Sequence, residues 1–214
     1  GFVSANIHSS VTGKVFKIDK VLDSSGYKKP CIIIQTAESE EWAEGIDTSN
    51  DLQESVSAGA EEIRNKLNDA GIVGLGGATF PTHVKLSVPE GKPIDHLIIN
   101  AVECEPYLTA DHQLMMERGK EIMIGCEVLM KGLGVEKTII GIENNKPDAI
   151  KVMTDLAAKH QGIEVQGLKV KYPQGGEKQL IKALLNREVP GGGLPLDVGC
   201  VVQNVGTAFA VYEA

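Results

Sequence analysis

The stretch that decides the fold is HLIINAVECEPY, residues 96–107. Its first half, residues 96–101, is apolar and rich in isoleucine, which is typical of a buried strand, whereas its second half is polar. An apolar stripe with helical spacing follows over residues 111–132. A buried strand, a polar turn and a helix in that order predict one strand-and-helix unit of a parallel sheet.

The same alternation of strand and helix continues along the chain. Further strands are predicted at residues 138–142, 163–170 and 200–203, and further helices at residues 58–69, 147–160, 176–186 and from residue 207 to the end. This order predicts an α/β fold, a mostly parallel Rossmann-like sheet with helices on both faces. Sheets of this kind bind ligands at the carboxyl ends of their strands.

The amino-terminal part has a different pattern. An acidic and polar segment over residues 37–50 indicates a surface linker. We therefore expect two domains: a small all-β lobe with its linker at residues 1–48, and an α/β domain at residues 49–214. The strands predicted for the lobe are residues 2–7, 13–18 and 30–36.

Composition and charge limit the functions that the chain can have. With 214 residues, of which 42% are hydrophobic, it can bury one sizeable core and a small lobe. Its formal net charge of -8 argues against nucleic acid or an anionic lipid surface as a general partner. No apolar run approaches the roughly 18 residues of a membrane helix, so we expect a cytoplasmic chain without a span. Because residue 1 is not Met, we expect a piece of a longer protein.

The spacing of cysteine and histidine argues against a metal site. The four cysteines lie far apart and form no CxxC pair, so we predict no iron–sulfur cluster or zinc site in this chain. The five histidines show no HExxH or comparable spacing either, and we assign no metal ligand. We interpret Cys31, Cys126 and Cys200 as reduced thiols packed in or beside apolar runs. Cys104 is either redox-active or packed beneath its loop.

A glycine-rich stretch, GIVGLGGATFPTHVK, occupies residues 71–85. Four glycines within seven residues allow several backbone N–H groups to turn toward one anion without interference from a Cβ atom. The stretch is neither a Walker motif nor a GxGxxG motif that follows a strand. On its own it predicts either a phosphate cradle or a flexible loop.

Three more polar or glycine-rich turns follow predicted strands. They are NAVECEPY at residues 100–107, YPQGGEK at residues 172–178 and QNVGT at residues 203–207. Because parallel strands end at one edge of a sheet, these turns predict a single ligand-binding rim, to which the glycine-rich stretch would contribute the phosphate cradle.

These segments together resemble a known flavoprotein family. Residues 74–85 resemble the GxGGAxFPTxxK flavin loop shared by the RnfC subunit of Rnf electron-transport complexes and the flavoprotein subunit of respiratory complex I. Residues 100–106 and 172–178 are similar to the next two ligand-contacting segments of that superfamily, in the same order, and they look closer to RnfC. Residues 10–15 resemble the lipoyl-like β-sandwich that precedes the flavin domain in RnfC, so the resemblance spans the whole chain.

The resemblance implies that the chain binds FMN and NADH. Hydride would pass directly between the two cofactors, so no side chain is expected to be catalytic; the protein would supply orientation and electrostatics. Two residues depart from the complex I pattern: Leu75 stands where that family has arginine, and Gly176 where it has glutamate. The implied FMN ligands are Gly74, Gly76, Gly77, Lys85, Asn100, Gly175, Gly176, Gln203, Asn204 and Thr207, and the implied NADH contacts are Phe80, Glu103, Glu105, Tyr172 and Glu177.

The resemblance also implies a setting for this chemistry. The partners would be the other subunits of a membrane electron-transport complex, with the chain peripheral on the cytoplasmic face. Electrons would continue to two 4Fe-4S clusters in a carboxyl-terminal part that is absent here. Two alternatives remain open: a cobalamin-reducing flavoprotein of microcompartments, and a non-catalytic nucleotide-binding docking module. Lys85 has an alternative of its own, as a solvated helix lysine.

Overall fold

The computed structural model describes residues 1–214 and divides into two compact units. The smaller unit is Ile7–Asp51, and the larger unit combines Gly1–Asn6 with Leu52–Ala214. The domain boundary predicted between residues 48 and 49 stays a prediction. The elements are β1 (Gly13–Leu22), β2 (Lys28–Thr36), α1 (Ala60–Asp69), α2 (Thr82–Lys85), β3 (His96–Ala101), α3 (Ala110–Leu133), β4 (Thr138–Glu143), α4 (Pro147–Ala157), β5 (Ile163–Leu168), α5 (Glu177–Leu185), β6 (Cys200–Asn204) and α6 (Val205–Glu213).

The smaller unit is built on one antiparallel hairpin of β1 and β2. Its turn is held by Asp23, whose Oδ1 accepts hydrogen bonds from the backbone N–H groups of Ser25 and Tyr27. The Asp23 carboxylate also pairs with Lys29, at 2.6 Å from Oδ2 to Nζ. An aspartate that binds the backbone two residues further along is a common way to fix a tight turn.

The strand predicted at residues 2–7 is wrong, because these residues adopt no regular secondary structure. Asn6 instead packs in the larger unit, where its Nδ2 donates to the carbonyl oxygens of Asn68 and Asp69. These carbonyls belong to the last residues of α1, which have no partner within the helix. A side chain that binds helix-end carbonyls has replaced the expected strand pairing.

The sheet of the larger unit has four parallel strands in the order β5-β4-β3-β6. The chain passes from β3 to β4 and β5 on one side, and then returns to place β6 on the other side of β3. Asn100 of β3 pairs in register with Asn204 of β6. The direction of winding therefore reverses between β3 and β6, and at such a switch point an open sheet forms a crevice for ligands.

Two apolar cores lie on the two faces of this sheet. Leu97 and Ile99 of β3 enter one core and Ile98 enters the other, because successive side chains of a strand point to opposite faces. Helices α1, α3, α4 and α6 contribute to the first core, and α5 contributes to the second. The predicted fold class, a parallel α/β sheet covered on both faces beside a small amino-terminal β lobe, is confirmed.

The long helix α3 packs closely on α6. A Cβ atom added to Gly125 would lie 2.0 Å from the carbonyl oxygen of Ala208, so only glycine fits at this crossing. Cys126 is fully buried in the same core, and burial raises the pKa of its thiol to about 12. None of the helices has the combination of length and apolar character that a membrane crossing requires.

Candidate functional site

The glycine loop is docked on the carboxyl edge of the sheet, beside the end of β6. It closes on itself through a hydrogen bond from the Gly74 N–H to the Phe80 carbonyl, at 2.9 Å. The N–H of Leu75 donates to Oγ1 of Thr207 in α6, at 3.0 Å. Residues 75–80 are exposed to solvent, so the loop turns outward from the apolar core.

Two glycines of this loop differ in their surroundings. A Cβ atom added to Gly76 would lie 2.9 Å from Cβ and Nδ2 of Asn204, which is closer than side chains approach one another. A Cβ atom added to Gly77 would meet no atom within 4 Å. Glycine at position 76 therefore permits the loop to touch Asn204, whereas glycine at position 77 leaves open space beside the exposed backbone.

Lys85, at the end of α2, reaches back to the same edge of the sheet. Its Nζ donates to the carbonyl oxygen of Val202 at 2.8 Å and to Oε1 of Glu177 at 3.2 Å. An ammonium group has three N–H donors, so one remains for a ligand. The structure thus brings together Lys85, from the glycine-rich stretch, and Glu177, from the turn after β5.

The turn after β3 is tied to the turn after β5. Nδ2 of Asn100 donates to the carbonyl oxygen of Gly175 at 2.9 Å, and its Oδ1 accepts from the Val102 N–H at 3.1 Å. The Gly175 N–H in turn approaches Sγ of Cys104, at 3.4 Å. Both ends of the Asn100 amide are therefore engaged within the protein.

Glu103 holds the start of α3. Its two carboxylate oxygens accept the backbone N–H groups of Asp111 and His112, at 2.9 and 3.0 Å, and only 8% of the residue is exposed. The first N–H groups of a helix have no partner within the helix, and a carboxylate there is also favoured by the helix dipole. Glu103 has this structural role whether or not it contacts a ligand.

The end of β6 carries the two amide residues that were predicted as ligands. Asn204 caps α6, since its Oδ1 accepts the Gly206 N–H at 2.8 Å, and its Nδ2 donates to Oδ2 of Asp111 at 2.8 Å. Gln203 is 2% exposed, and its Nε2 is buried without a hydrogen-bond partner. Buried polar atoms are almost always paired, so this orphaned donor marks a place that a ligand can complete.

The remaining predicted residues lie at the outer rim. Tyr172 is 72% exposed and Phe80 is 39% exposed, and Glu105 also faces solvent. Gly176 precedes α5, and an added Cβ atom would meet only the end of the Gln179 side chain, at 2.5 Å. These groups surround the crevice without hydrogen bonds to its inner members.

Sequence analysis missed Asp111, which joins Glu103 and Asn204 from the first turn of α3. Burial raises the pKa of the Asp111 carboxyl, and the nearby Glu103 charge adds to this effect. The Asn204 hydrogen bond and the charge of Lys146 act in the opposite direction. An acidic residue at a predicted helix start directly after a ligand turn is the sequence signal that could have identified it.

Two other features lie outside this rim. A cavity of about 530 Å³ lies between α3 and α4 and is lined partly by Met116, Gly119 and Leu156. No group of three or more His, Cys, Asp or Glu side chains in residues 1–214 is arranged to hold a metal ion.

Two family models match the chain. The Nuo51 FMN-binding domain matches residues 67–213, which include the glycine loop and every turn of the rim. The RnfC barrel sandwich hybrid domain matches residues 1–39, which include the hairpin of the smaller unit.

Several curated proteins are similar over the whole chain. The RnfC-type component of a proton-translocating ferredoxin:NAD(+) oxidoreductase complex from Clostridium ljungdahlii is 49% identical over 213 residues, covering 100% of this chain and 46% of that protein. The RnfC-type component of a Na(+)-translocating ferredoxin:NAD(+) oxidoreductase complex from Acetobacterium woodii is 45% identical over 218 residues, covering 100% of this chain and 48% of that protein. The chain thus spans about half the length of these curated relatives.

A solved structure is similar as well. A chain of an NAD+-reducing [NiFe]-hydrogenase in the air-oxidized state superposes with a TM-score of 0.62 at 27% identity. The match covers 72% of this chain and 30% of the hydrogenase chain.

Proposed function

The chain belongs to the RnfC family of ion-translocating oxidoreductase complexes, and from this premise we propose that it binds FMN at the glycine loop and transfers hydride to it from NADH. The observation that carries the proposal is the docking of the glycine loop on Asn204 and Thr207 at the switch point of the sheet. A phosphate-binding loop and a ligand crevice meet there in one place.

The donors around the crevice fit the phosphate of FMN. The backbone N–H groups of Gly76 and Gly77 make no hydrogen bond within the protein, and both residues are exposed. Lys85 supplies a positive charge with one N–H donor left over. Backbone N–H groups and an ammonium group are the donors that bind phosphate in glycine-rich loops.

Amide groups further along the edge fit the polar part of a flavin ring. The unpaired Nε2 of Gln203 offers a donor inside the crevice, and Asn100 lies on the neighbouring strand in register with Asn204. Burial of an unpaired donor costs about 1–3 kcal/mol, and a ligand that accepts its hydrogen bond recovers that cost. We therefore retain the whole predicted set of FMN contacts: Gly74, Gly76, Gly77, Lys85, Asn100, Gly175, Gly176, Gln203, Asn204 and Thr207.

NADH would approach from the exposed rim, where Phe80, Glu105, Tyr172 and Glu177 lie. Their half-buried or exposed side chains offer two aromatic surfaces and two carboxylates to the nucleotide, and carboxylates suit ribose hydroxyl groups. Glu103 keeps its assignment as a nucleotide contact only as a prediction, since both its oxygens already bind the start of α3.

When bound, FMN supplies the hydride acceptor of the reaction. The protein provides position: the glycine loop and Lys85 hold the phosphate end, and the rim aligns the second nucleotide over the crevice. No side chain acts as a nucleophile or a metal ligand. The partner subunits, the 4Fe-4S clusters that receive the electrons and the peripheral place on the cytoplasmic face of a membrane complex are proposals for the longer protein.

FMN titration of the 214-residue chain tests the first half of this proposal. Saturable quenching of flavin fluorescence, with a shifted flavin absorbance spectrum, is expected. A chain that leaves both signals unchanged does not bind FMN, and the proposed function fails.

NADH-dependent reduction of ferricyanide by the FMN-loaded chain tests the second half. Turnover that needs both NADH and FMN supports hydride transfer. FMN binding without turnover would instead support the docking-module alternative, and NADH-dependent reduction of a cobalamin would favour the corrinoid alternative.

A further inference from the structure

The Asn204 carboxamide is held from three sides at the centre of the crevice. Its Oδ1 accepts the N–H of Gly206 and so caps α6, at 2.8 Å. Its Nδ2 donates to Oδ2 of Asp111, also at 2.8 Å. On the third side it packs against Gly76, where no Cβ atom could fit. The position of the glycine loop therefore depends on the orientation of one amide.

Asp111 decides that orientation because the two ends of a carboxamide have the same shape. An amide rotated by half a turn would place its oxygen against the Asp111 carboxylate and its N–H₂ group against the Gly206 N–H. Two acceptors would then face each other, and two donors would as well. A carboxylate at position 111 accepts hydrogen bonds without offering a donor, so it specifies a single orientation.

Asp111 is itself fixed on a rigid element. It lies in the first turn of α3, a 24-residue helix, and its backbone N–H donates to Oε1 of Glu103 at 2.9 Å. The Asp111 side chain is partly buried at the carboxyl edge of the sheet. An acceptor on a long helix with a capped start can hold the amide that it contacts in one position.

We propose that Asp111 is a positioning residue that holds the Asn204 carboxamide against the glycine loop, through the hydrogen bond from Nδ2 to Oδ2, and thereby sets the affinity of the loop for FMN. The identity of the ligand rests on the proposed function. The positioning of Asn204 is a property of the ligand-free chain and can be measured without FMN.

Asp111→Asn is the informative variant, because it keeps the shape of the side chain and lets either end of the new amide face Asn204. Two properties are measured: the dissociation constant for FMN, by fluorescence quenching, and the hydrogen-exchange rate of the Gly206 amide in the ligand-free chain, by NMR. Loss of the charged acceptor is expected to weaken FMN binding by about ten-fold, and to speed exchange at Gly206 by about the same factor.

Asp155→Asn is the matched control, since it makes the same chemical change at an exposed position on α4. It should leave both measurements within about two-fold of the parent chain. Melting temperature separates a positioning role from a purely structural one, because Asp111→Asn removes a partly buried charge and should not lower it. A parallel loss of affinity and of melting temperature would indicate general destabilisation and overturn the proposal.

Asn204→Ser supplies a second route if Asp111→Asn does not fold. Serine can still cap α6, but it is too short to reach Asp111. The variant should weaken FMN binding as Asp111→Asn does, and combining the two changes should cost no more than either alone. Additive losses, or FMN affinity and Gly206 exchange that both stay unchanged in Asp111→Asn, would overturn the proposal. A parent chain that binds no FMN would refute the proposed function, and exchange at Gly206 would still decide the role of Asp111.

Discussion

Lys85 and Glu177 form an ion pair across the crevice, with Nζ 3.2 Å from Oε1. One residue comes from the glycine-rich stretch and the other from the start of α5, 92 positions apart in the chain. Both are partly exposed, so the pair itself adds little to the stability of the fold. Its importance lies in the placement of one cation and one anion, each assigned to a different nucleotide.

Lys85→Ala should weaken FMN binding by about 10- to 100-fold, because a charge-assisted hydrogen bond to phosphate is worth about 1.5–3 kcal/mol. Lys182→Ala, which removes an exposed lysine of α5, is the control and should leave the affinity unchanged. Fluorescence titration measures both. An unchanged affinity in Lys85→Ala would show that Lys85 is only a solvated helix lysine.

Glu177→Gln should separate the two nucleotides. Removal of the carboxylate frees the Lys85 ammonium, so FMN affinity should stay the same or increase, whereas the KM for NADH should rise several-fold if Glu177 contacts the second nucleotide. Steady-state ferricyanide reduction gives the KM. A loss of FMN affinity with an unaltered KM would assign Glu177 to the flavin.

Gly76→Ala and Gly77→Ala should differ, although the residues are adjacent. The new methyl group at position 76 would lie 2.9 Å from Asn204 and displace the loop, which should cost about 1–3 kcal/mol of stability and most of the FMN affinity. The methyl group at position 77 meets no protein atom within 4 Å, so the melting temperature should not fall. A selective loss of FMN affinity in Gly77→Ala would locate the ligand in that open space; equal melting temperatures for the two variants would contradict the geometry.

Gln203→Met should stabilise the ligand-free chain while it weakens FMN binding. The substitution removes a buried donor that has no partner, and such a donor costs about 1–3 kcal/mol. Thermal unfolding without ligand and FMN titration give the two values, with the exposed Gln166→Met of β5 as control. If affinity and stability moved in the same direction, the orphaned donor would have no part in binding.

The Asp111 carboxyl should make stability depend on pH in a specific sense. Its pKa is raised in the folded chain, by burial first and by the Glu103 charge, against the opposing effects of Asn204 and Lys146. The folded chain therefore binds the proton more tightly than the unfolded chain does, and this contribution is lost as pH rises from the ordinary value of 3.8 through the raised pKa.

Asp111→Asn removes this dependence, so its advantage in melting temperature over the parent chain should grow between about pH 4 and neutral pH. For a chain of this size, each kcal/mol corresponds to about 2–4 °C. Differential scanning calorimetry across that range measures the difference. A gap that does not vary with pH, or that shrinks as pH rises, would contradict the raised pKa.

Local patterns were sufficient to predict most of the fold. β3 was predicted at residues 96–101, where the structure places it, and α4 and β5 begin as predicted but end at Ala157 and Leu168. The short helix α2 was not predicted as a separate element, because four residues contain too little periodicity to detect. The strand expected at residues 2–7 failed because strand formation needs a neighbouring edge, and Asn6 binds the end of α1 instead.

By itself, the sequence determined which segments become strands and helices, and which four turns carry glycine, amide and carboxylate groups, because these properties depend on the spacing of neighbouring residues. Only the tertiary structure decided which of those groups meet. The pairing of Lys85 with Glu177, the contact of Gly76 with Asn204 and the bond from Asn204 to Asp111 join residues 92 to 128 positions apart. Such contacts arise from the order in which parallel strands assemble, and no local pattern along the chain encodes that order.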